Sequence, residues 1–115
     1  MVKIGDVFYT SWGYDQTNYN FIVIVDLSKT GKTAICRMSE APIVDNSRTI
    51  DNLKPNGKPY GDKFRMKVCE YNGKPELRGS YPYIRGDISI AKRFDSFWIV
   101  DNNRTYGQTN PMFGH

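Results

Sequence analysis

Short runs in which apolar and polar residues alternate recur along the chain. Residues 3–10, 32–39 and 63–70 each alternate with a period of two, which is typical of strands with one covered face. Residues 21–27, Phe-Ile-Val-Ile-Val-Asp-Leu, are apolar at both sets of positions, so we expect a central strand that is covered on both sides. No long window has the apolar period of a helix. The pattern therefore predicts a β-rich chain with little helix.

The alternation also assigns an inward and an outward side to two of these strands. The inward positions of residues 32–39 and 63–70 are Ala34, Cys36, Met38, Phe64, Met66 and Val68. The outward positions include Arg37, Arg65 and Lys67. Apolar side chains on one side and cations on the other indicate a sheet that covers a core with one face and meets solvent with the other.

Turn signals join the predicted strands. Residues 28–31, Ser-Lys-Thr-Gly, follow the central strand, and Asn72-Gly73 is the strongest hairpin signal in the chain. Residues 101–104, Asp-Asn-Asn-Arg, predict a further tight turn. The later strands that these turns delimit are residues 75–80, 94–101 and 105–108.

The spacing of strands and turns predicts the architecture. About seven short strands joined by hairpin turns favour an all-β, mainly antiparallel fold, either a small SH3-like or OB-like barrel or a compact sandwich. We expect one domain over residues 1–115, because no composition break or repeat divides the chain. Residues 45–61 are polar and interrupted by Pro and Gly, so we expect one long, mobile loop there.

Composition narrows the class of protein. A chain of 115 residues is too short for an enzyme with separate cofactor and substrate domains. With 39% hydrophobic and 14% aromatic residues it should fold without disulfides or a metal, and disorder is not expected. No apolar run is long enough for a membrane span, and the N-terminus has no secretory pattern. We therefore expect a cytoplasmic protein.

The cysteines and the net charge add two expectations. Cys36 and Cys69 stand alone in alternating runs, which predicts two buried, reduced thiols, with a disulfide between neighbouring strands as the alternative. The formal net charge is +4, and the excess of basic residues falls in the last two-thirds of the chain. This balance permits attraction to nucleic acid or to an acidic protein without requiring either.

Residues 11–20 connect two apolar strands and are crowded with hydrogen-bonding and aromatic side chains. Asp15 and Asn18 can fix the loop by bonding to nearby backbone amides. Trp12 and Tyr14 could then present flat faces to a base, a sugar or a protein surface, with Gln16 beside them. The alternative is a loop that satisfies its own hydrogen bonds, with Trp12 as a hydrophobic plug of the barrel.

A second candidate site consists of basic residues on outward positions. Arg37, Arg65, Lys67 and Arg85 are expected outward or at strand ends, and several tyrosines lie nearby in the sequence. On a barrel face such residues would bind backbone phosphates and stack on bases. The alternative is an ordinary mixed-charge surface, since acidic residues are interleaved with them.

Residues 5–18, Gly-Asp-Val-Phe-Tyr-Thr-Ser-Trp-Gly-Tyr-Asp-Gln-Thr-Asn, carry a resemblance to a known family. With the aromatic-led strand at Phe21, the turn at 101–103 and the closing Gly114-His115, they resemble an uncharacterised family of small proteins of bacteriophages, prophages and other mobile elements. The similarity covers roughly the first forty and last twenty residues. It implies a mobile-element origin and a compact β-rich domain, and it implies no activity.

The sequence offers little to a catalytic or metal site. His115 is the only histidine and the last residue, so any Ser-His-Asp or Cys-His arrangement would have to use it. One His and two separated Cys do not form a zinc set. Residues 30–33, Thr-Gly-Lys-Thr, resemble the end of a phosphate-binding loop but lack its earlier glycine. We expect no cofactor and no metal.

Three functions follow from these patterns. The favoured interpretation is a non-enzymatic binding protein of phage type that contacts nucleic acid or a nucleoprotein. The alternative is an inhibitor of a host defence protein, similar in kind to anti-CRISPR proteins. The third is a small ribonuclease, in which Arg37 or Arg85 would stabilise phosphate charge and Asp15 or His115 would move protons.

Overall fold

Every regular element in the described part of the chain is a strand. The computed structural model describes residues 2–12, 18–46, 50–83, 91–101 and 104–109. The strands, in chain order, are β1 (Val7–Trp12), β2 (Asn18–Leu27), β3 (Thr33–Ser39), β4 (Ile43–Asn46), β5 (Ile50–Leu53), β6 (Pro59–Tyr71), β7 (Lys74–Tyr83), β8 (Ala91–Ile99) and β9 (Tyr106–Thr109). Within these ranges no helix has the length and apolar character needed to cross a membrane.

Six of the strands form a closed barrel. They pair in the order β1-β2-β3-β6-β7-β8, every pair is antiparallel, and β8 closes the ring by pairing with β1. The strands thus follow one another around the ring in chain order, with only β4 and β5 inserted between β3 and β6. The predicted all-β antiparallel barrel is confirmed. Closure leaves none of the six strands with a free edge.

The barrel interior is filled by alternate side chains of all six strands. Ala34, Cys36 and Met38 are buried there, and Arg37 lies on the other side of β3, so the predicted orientation of this strand is confirmed. The largest fully buried side chains of this core are Tyr81, Phe8, Phe97, Ile22, Ile24, Met66 and Leu77. Removal of this apolar surface from water is the main force that holds the ring closed.

The strand β2 is covered on both sides, as its sequence predicts. Ile22 and Ile24 point into the barrel, whereas Phe21 belongs to a second cluster outside the barrel with Leu53 and Tyr106. This second cluster lies beneath a three-stranded sheet in the order β4-β5-β9. The small sheet therefore packs on the outer surface of the barrel at β1 and β2.

The prediction of one long loop over residues 45–61 is wrong for much of that segment. Residues 50–53 form β5, which pairs with β4 on one side and β9 on the other, and β6 begins already at Pro59. Pro55 and Gly57 do follow β5, but a strand of four residues shows too little alternation to be detected. Its partner β9 comes from the far end of the sequence, so the pairing has no local signal.

The Asn72-Gly73 hairpin is confirmed, and both residues have a left-handed backbone. The φ angle is 52° at Asn72 and 77° at Gly73, the conformation that the tight turn between β6 and β7 requires. Thr30 lies in the β2–β3 turn, and Gly31, which follows it, has a left-handed backbone with a φ angle of 71°. At the 101–104 turn the Arg104 amide donates to the Asp101 carbonyl oxygen at 3.1 Å.

Asn72→Val should lower the free energy of unfolding by about 1–2 kcal/mol, because a β-branched residue is disfavoured in the left-handed region. Urea unfolding of the purified protein measures this change. Asn72→Gly is the matched control and should stay within about 0.5 kcal/mol, since glycine adopts the same angle without strain. Equal stability of the Val and Gly variants would show that the backbone at position 72 is free to change.

Both cysteines are free thiols, but only one is buried. Cys36 lies in the barrel core, where burial raises the pKa of its thiol to about 12. The expectation that Cys69 is also buried is wrong. Cys69 shares the outward side of β6 with Arg65 and Lys67 and is partly exposed, with its thiol 3.8 Å from the Lys67 carbonyl oxygen.

Candidate functional site

The outer surface of β3, β6, β7 and β8 carries a concentration of basic side chains, which we call the basic face. Its members are Arg37, Lys63, Arg65, Lys67 and Arg78. The alternation of β6 places Arg65 and Lys67 on one side of that strand, Lys63 precedes them in the irregular stretch between Tyr60 and Phe64, and all three are exposed. Alternate residues of a strand recur about every 6.6 Å, so Arg65 and Lys67 form a row with that spacing, and Lys63 lies next to it.

Strand register aligns this row with side chains of the neighbouring strands. Lys67 pairs with Arg78, and Arg78 pairs in turn with Ser96 of β8. Thr33 of β3 lies on the other side of Lys67. These positions form one rung across the outer surface of four strands. Lys67 and Arg78 are therefore direct neighbours on adjacent strands.

The side chains of Lys63, Arg65 and Lys67 have no partner among the described residues. No hydrogen bond or ion pair engages them within that part of the chain. The acidic residues of the same strand, Asp62 and Glu70, occupy the alternate positions. These three side chains therefore present three uncompensated positive charges to solvent.

The side chain of Arg37 makes a structural contact with the backbone of β6. Its Nε donates to the carbonyl oxygen of Gly61 at 2.8 Å. Gly61 lies at an irregularity in the pairing of β3 with β6, where the residues from Cys36 to Met38 oppose those from Phe64 to Tyr60, and its φ angle is 75°. Arg37 therefore holds this bulge in place, and its terminal guanidinium nitrogens remain for other contacts.

Arg78 is oriented by two side chains of the same surface. Its Nε lies 3.2 Å from Glu76 Oε1 and 3.2 Å from Ser96 Oγ. Glu76 is only 7% exposed, yet it lies on the outer side of β7, where it pairs with Cys69 and Trp98. It is the one carboxylate among the described outward positions of the face. Five basic side chains and one carboxylate leave four uncompensated positive charges.

Two exposed aromatic rings flank the basic face on β8. Phe94 is 67% exposed and Trp98 is 40% exposed, and both lie on the same side of the strand as Ser96. The ring of Trp98 also packs against Tyr9 with a centroid separation of 6.2 Å. Exposed aromatic rings beside cations are able to stack on the bases of a nucleic acid.

The other predicted site, the connection between β1 and β2, falls mostly outside the described residues. Tyr14, Asp15 and Gln16 are outside them, and so is Arg85, which belongs to the connection between β7 and β8. The backbone of Trp12 pairs with Asn18 at the ends of the two strands, and for Trp12 the structure describes the backbone alone. The question of whether Trp12 is a contact or a plug therefore stays a prediction.

Polar groups gather inside the barrel below that connection. Asn20 donates from Nδ2 to the hydroxyl of Tyr81 at 3.0 Å. The hydroxyl of Thr10 and the amide nitrogen of Asn18 are buried and have no hydrogen-bond partner among the described residues. A buried polar group costs free energy unless a partner satisfies it.

The described residues of the two predicted sites lie on separate parts of the ring. The strand β6, which carries Arg65 and Lys67, stands three places from β1, which ends at Trp12, and two places from β2, which begins at Asn18. The structure instead joins Arg65 and Lys67 to Arg78, Phe94 and Trp98. Alternation in residues 94–98, Phe-Asp-Ser-Phe-Trp, puts Phe94 and Trp98 on one side of the strand and Phe97 on the other. This is the sequence signal that could have placed the two exposed rings on this surface.

Comparison of the chain with models of protein families, with curated proteins and with solved structures found no match. Among the described residues no three His, Cys, Asp or Glu side chains lie together in a way that could hold a metal ion.

Proposed function

We propose that the protein binds nucleic acid through the basic face. The observation that supports this most directly is the group of Lys63, Arg65 and Lys67, which is exposed and unpaired within the described residues. Arg78 extends it onto the neighbouring strand. Lys and Arg side chains that neutralise phosphates release condensed counterions, and this release supplies most of the free energy of non-specific binding.

The expected complex is sensitive to salt. Each phosphate that a cation neutralises contributes about −0.9 for a duplex, or about −0.7 for a single strand, to the slope of log affinity against log salt concentration. Contacts by the members of the face would therefore give a slope of about −3 to −4.

Arg65→Glu/Lys67→Glu should weaken binding of a labelled DNA or RNA oligonucleotide at least about tenfold at low salt and reduce the salt slope by about 2. Fluorescence anisotropy titrations at two salt concentrations measure both quantities. The physical reason is that the reversal removes two phosphate contacts and adds two repulsive charges in the row.

Lys3→Glu/Lys29→Glu is the matched control. Both lysines are exposed and lie in connections outside the strands of the basic face, and the control has the same net charge as the reversed variant. It should retain most of the affinity and of the salt slope. Equal losses in the two variants would show that net charge alone, and not this face, attracts the nucleic acid.

A second function, inhibition of a host defence protein by protein–protein binding, is favoured by a different observation. Trp98 and Ile99 are exposed and, with Lys74 and Pro75, help to line a cavity of about 370 Å³. Exposed apolar side chains grouped in this way are typical of protein-binding surfaces. Absence of any oligonucleotide binding at low salt would favour this second function over the first.

A further inference from the structure

We infer that the basic face binds single-stranded nucleic acid, with its phosphates along β6 and two of its bases on Phe94 and Trp98. This inference rests on the proposed function and specifies its substrate. It depends on the grid of side chains that the outward positions of β6, β7 and β8 form. The charged side chains of this grid lie on β6 and β7, and its rings lie on β8.

The register of the strands defines three rungs of that grid. The first contains Cys69, Glu76 and Trp98, and the second contains Lys67, Arg78 and Ser96. The third contains Ser80 and Phe94, with Arg65 beside them. Arg65 lies close to this rung, because a Cβ on Gly79, the residue before Ser80, would be 3.0 Å from the Arg65 carbonyl oxygen.

The distances of the grid suit one extended strand of nucleic acid. Neighbouring strands of a sheet lie about 4.8 Å apart, so β6 and β8 are separated by about 9.6 Å. This is comparable to the distance from a phosphate to the base of the same nucleotide. A chain whose phosphates follow Arg65 and Lys67 would therefore extend its bases across β7 toward Phe94 and Trp98.

The spacing along β8 indicates the length of the contact. Phe94 and Trp98 are four residues apart on one side of the strand, a separation of about 13 Å. That is twice the spacing of the cations on β6, so the two rings would take bases two nucleotides apart. Ser96 lies between them and keeps Arg78 in place at 3.2 Å. We expect a central footprint of three nucleotides.

Exposed rings favour a single strand over a duplex. In a duplex the faces of the bases are stacked on one another, so Phe94 and Trp98 could not reach them without unstacking. An unpaired base offers its face freely, and stacking on an aromatic side chain is tolerant of sequence. The outer wall of a closed barrel is also convex, which limits its contact with a rigid duplex to one backbone.

The test compares labelled ten-nucleotide thymidine oligonucleotides with a ten-base-pair duplex by fluorescence anisotropy. We expect the single strand to bind at least about tenfold more tightly. Phe94→Leu should weaken single-strand binding by about 5- to 150-fold, the range measured for loss of one stacked base. Duplex binding should be nearly unchanged by this substitution.

Tryptophan fluorescence gives a readout that a structural role would not produce. A base stacked on Trp98 should quench its emission when the oligonucleotide is added. This quenching should be lost in Trp98→Phe, which retains a ring for stacking and keeps the contact with Tyr9. Tyr60→Leu is the matched control, since Tyr60 is also 40% exposed but lies at the start of β6. It should leave binding unchanged.

The outcomes separate this inference from the proposed function. Equal affinity for duplex and single strand, or single-strand binding unaffected by Phe94→Leu and without quenching, would overturn the inference. The proposed function would stand in that case if Arg65→Glu/Lys67→Glu still abolished binding. If neither oligonucleotide binds at low salt, both proposals fail.

Discussion

Tyr106→Ala should lower the free energy of unfolding by about 3–5 kcal/mol, the range measured when a large buried aromatic side chain is truncated. Tyr106 is fully buried, and it is the residue of β9 that reaches the barrel. Its ring centroid lies 4.8 Å from that of Tyr9, 5.3 Å from that of Tyr19 and 5.4 Å from that of Phe21. Truncation would leave a cavity among three rings.

Two further contacts add to the cost of this truncation. The guanidinium of Arg104 lies 4.5 Å from the centroid of the Tyr106 ring, a cation–π contact. The Tyr106 hydroxyl accepts a hydrogen bond from the Asp101 amide at 3.1 Å. Burial raises the pKa of this hydroxyl, and the Asp101 amide and the Arg104 charge oppose that shift.

Tyr106→Phe is the matched control for the ring. It removes the hydroxyl and keeps the packing, so it should cost about 1 kcal/mol, because the Asp101 amide loses one partner at an exposed position. Chemical denaturation of the three proteins measures both changes. Hydrogen exchange should show that the amides of β5 lose protection in Tyr106→Ala before those of the barrel strands do. A loss of stability below 1 kcal/mol in Tyr106→Ala would mean that the small sheet does not depend on this ring.

Gly79→Val should lower the free energy of unfolding by about 3 kcal/mol, although valine has a higher intrinsic preference for strands than glycine. A Cβ at this position would lie 2.7 Å from Met66 Sδ and 3.0 Å from the Arg65 carbonyl oxygen. The sulfur can move, but the carbonyl belongs to the backbone of β6. The β6 and β7 backbones would have to separate at the rung that holds Arg65.

Gly107→Ala tests whether this cost comes from the close approach of two backbones. A Cβ at Gly107 would meet Ile50 Cγ2 at 3.1 Å and Asn52 Oδ1 at 3.3 Å, and both are side-chain atoms that can shift. We expect a change within about 1 kcal/mol, since alanine also restricts the unfolded chain. Thermal unfolding of Gly79→Val, Gly79→Ala and Gly107→Ala should rank them in that order of loss. A Gly79→Ala variant as stable as Gly107→Ala would contradict the close approach.

The barrel could be predicted from the sequence because its strands are long enough to show a period of two. Residues 32–39 and 63–70 reveal their inward and outward sides directly, and Asn72-Gly73 marks the turn that joins β6 to β7. The small sheet could not be predicted in this way. Residues 50–53 and 106–109 are four-residue strands that pair only with each other and with β4, and no local pattern connects them.

The candidate site was predictable to a similar degree. Arg65 and Lys67 follow from the alternation of β6, and both lie where the sequence places them. The contact of Arg37 with Gly61 depends on a bulge, which arises from the pairing of two distant segments. The alignment of Arg78 with Ser96, and of Phe94 with Ser80, depends on register across strands. Register is determined by the pairing between strands, so the sequence of one strand alone does not reveal it.

The pairing that closes the barrel determines when the protein can acquire its structure during synthesis. Phe8 pairs with Ile99, so the first strand waits for its second partner until β8 has left the ribosome. Bringing such distant residues together costs much chain entropy before their contacts form, which places folding in the millisecond-to-second range. A chain interrupted before β8 would leave an open sheet with the hydrogen-bonding groups of β1 exposed. Such an edge pairs readily with other chains, so copies that end before β8 should aggregate more readily than copies that contain it.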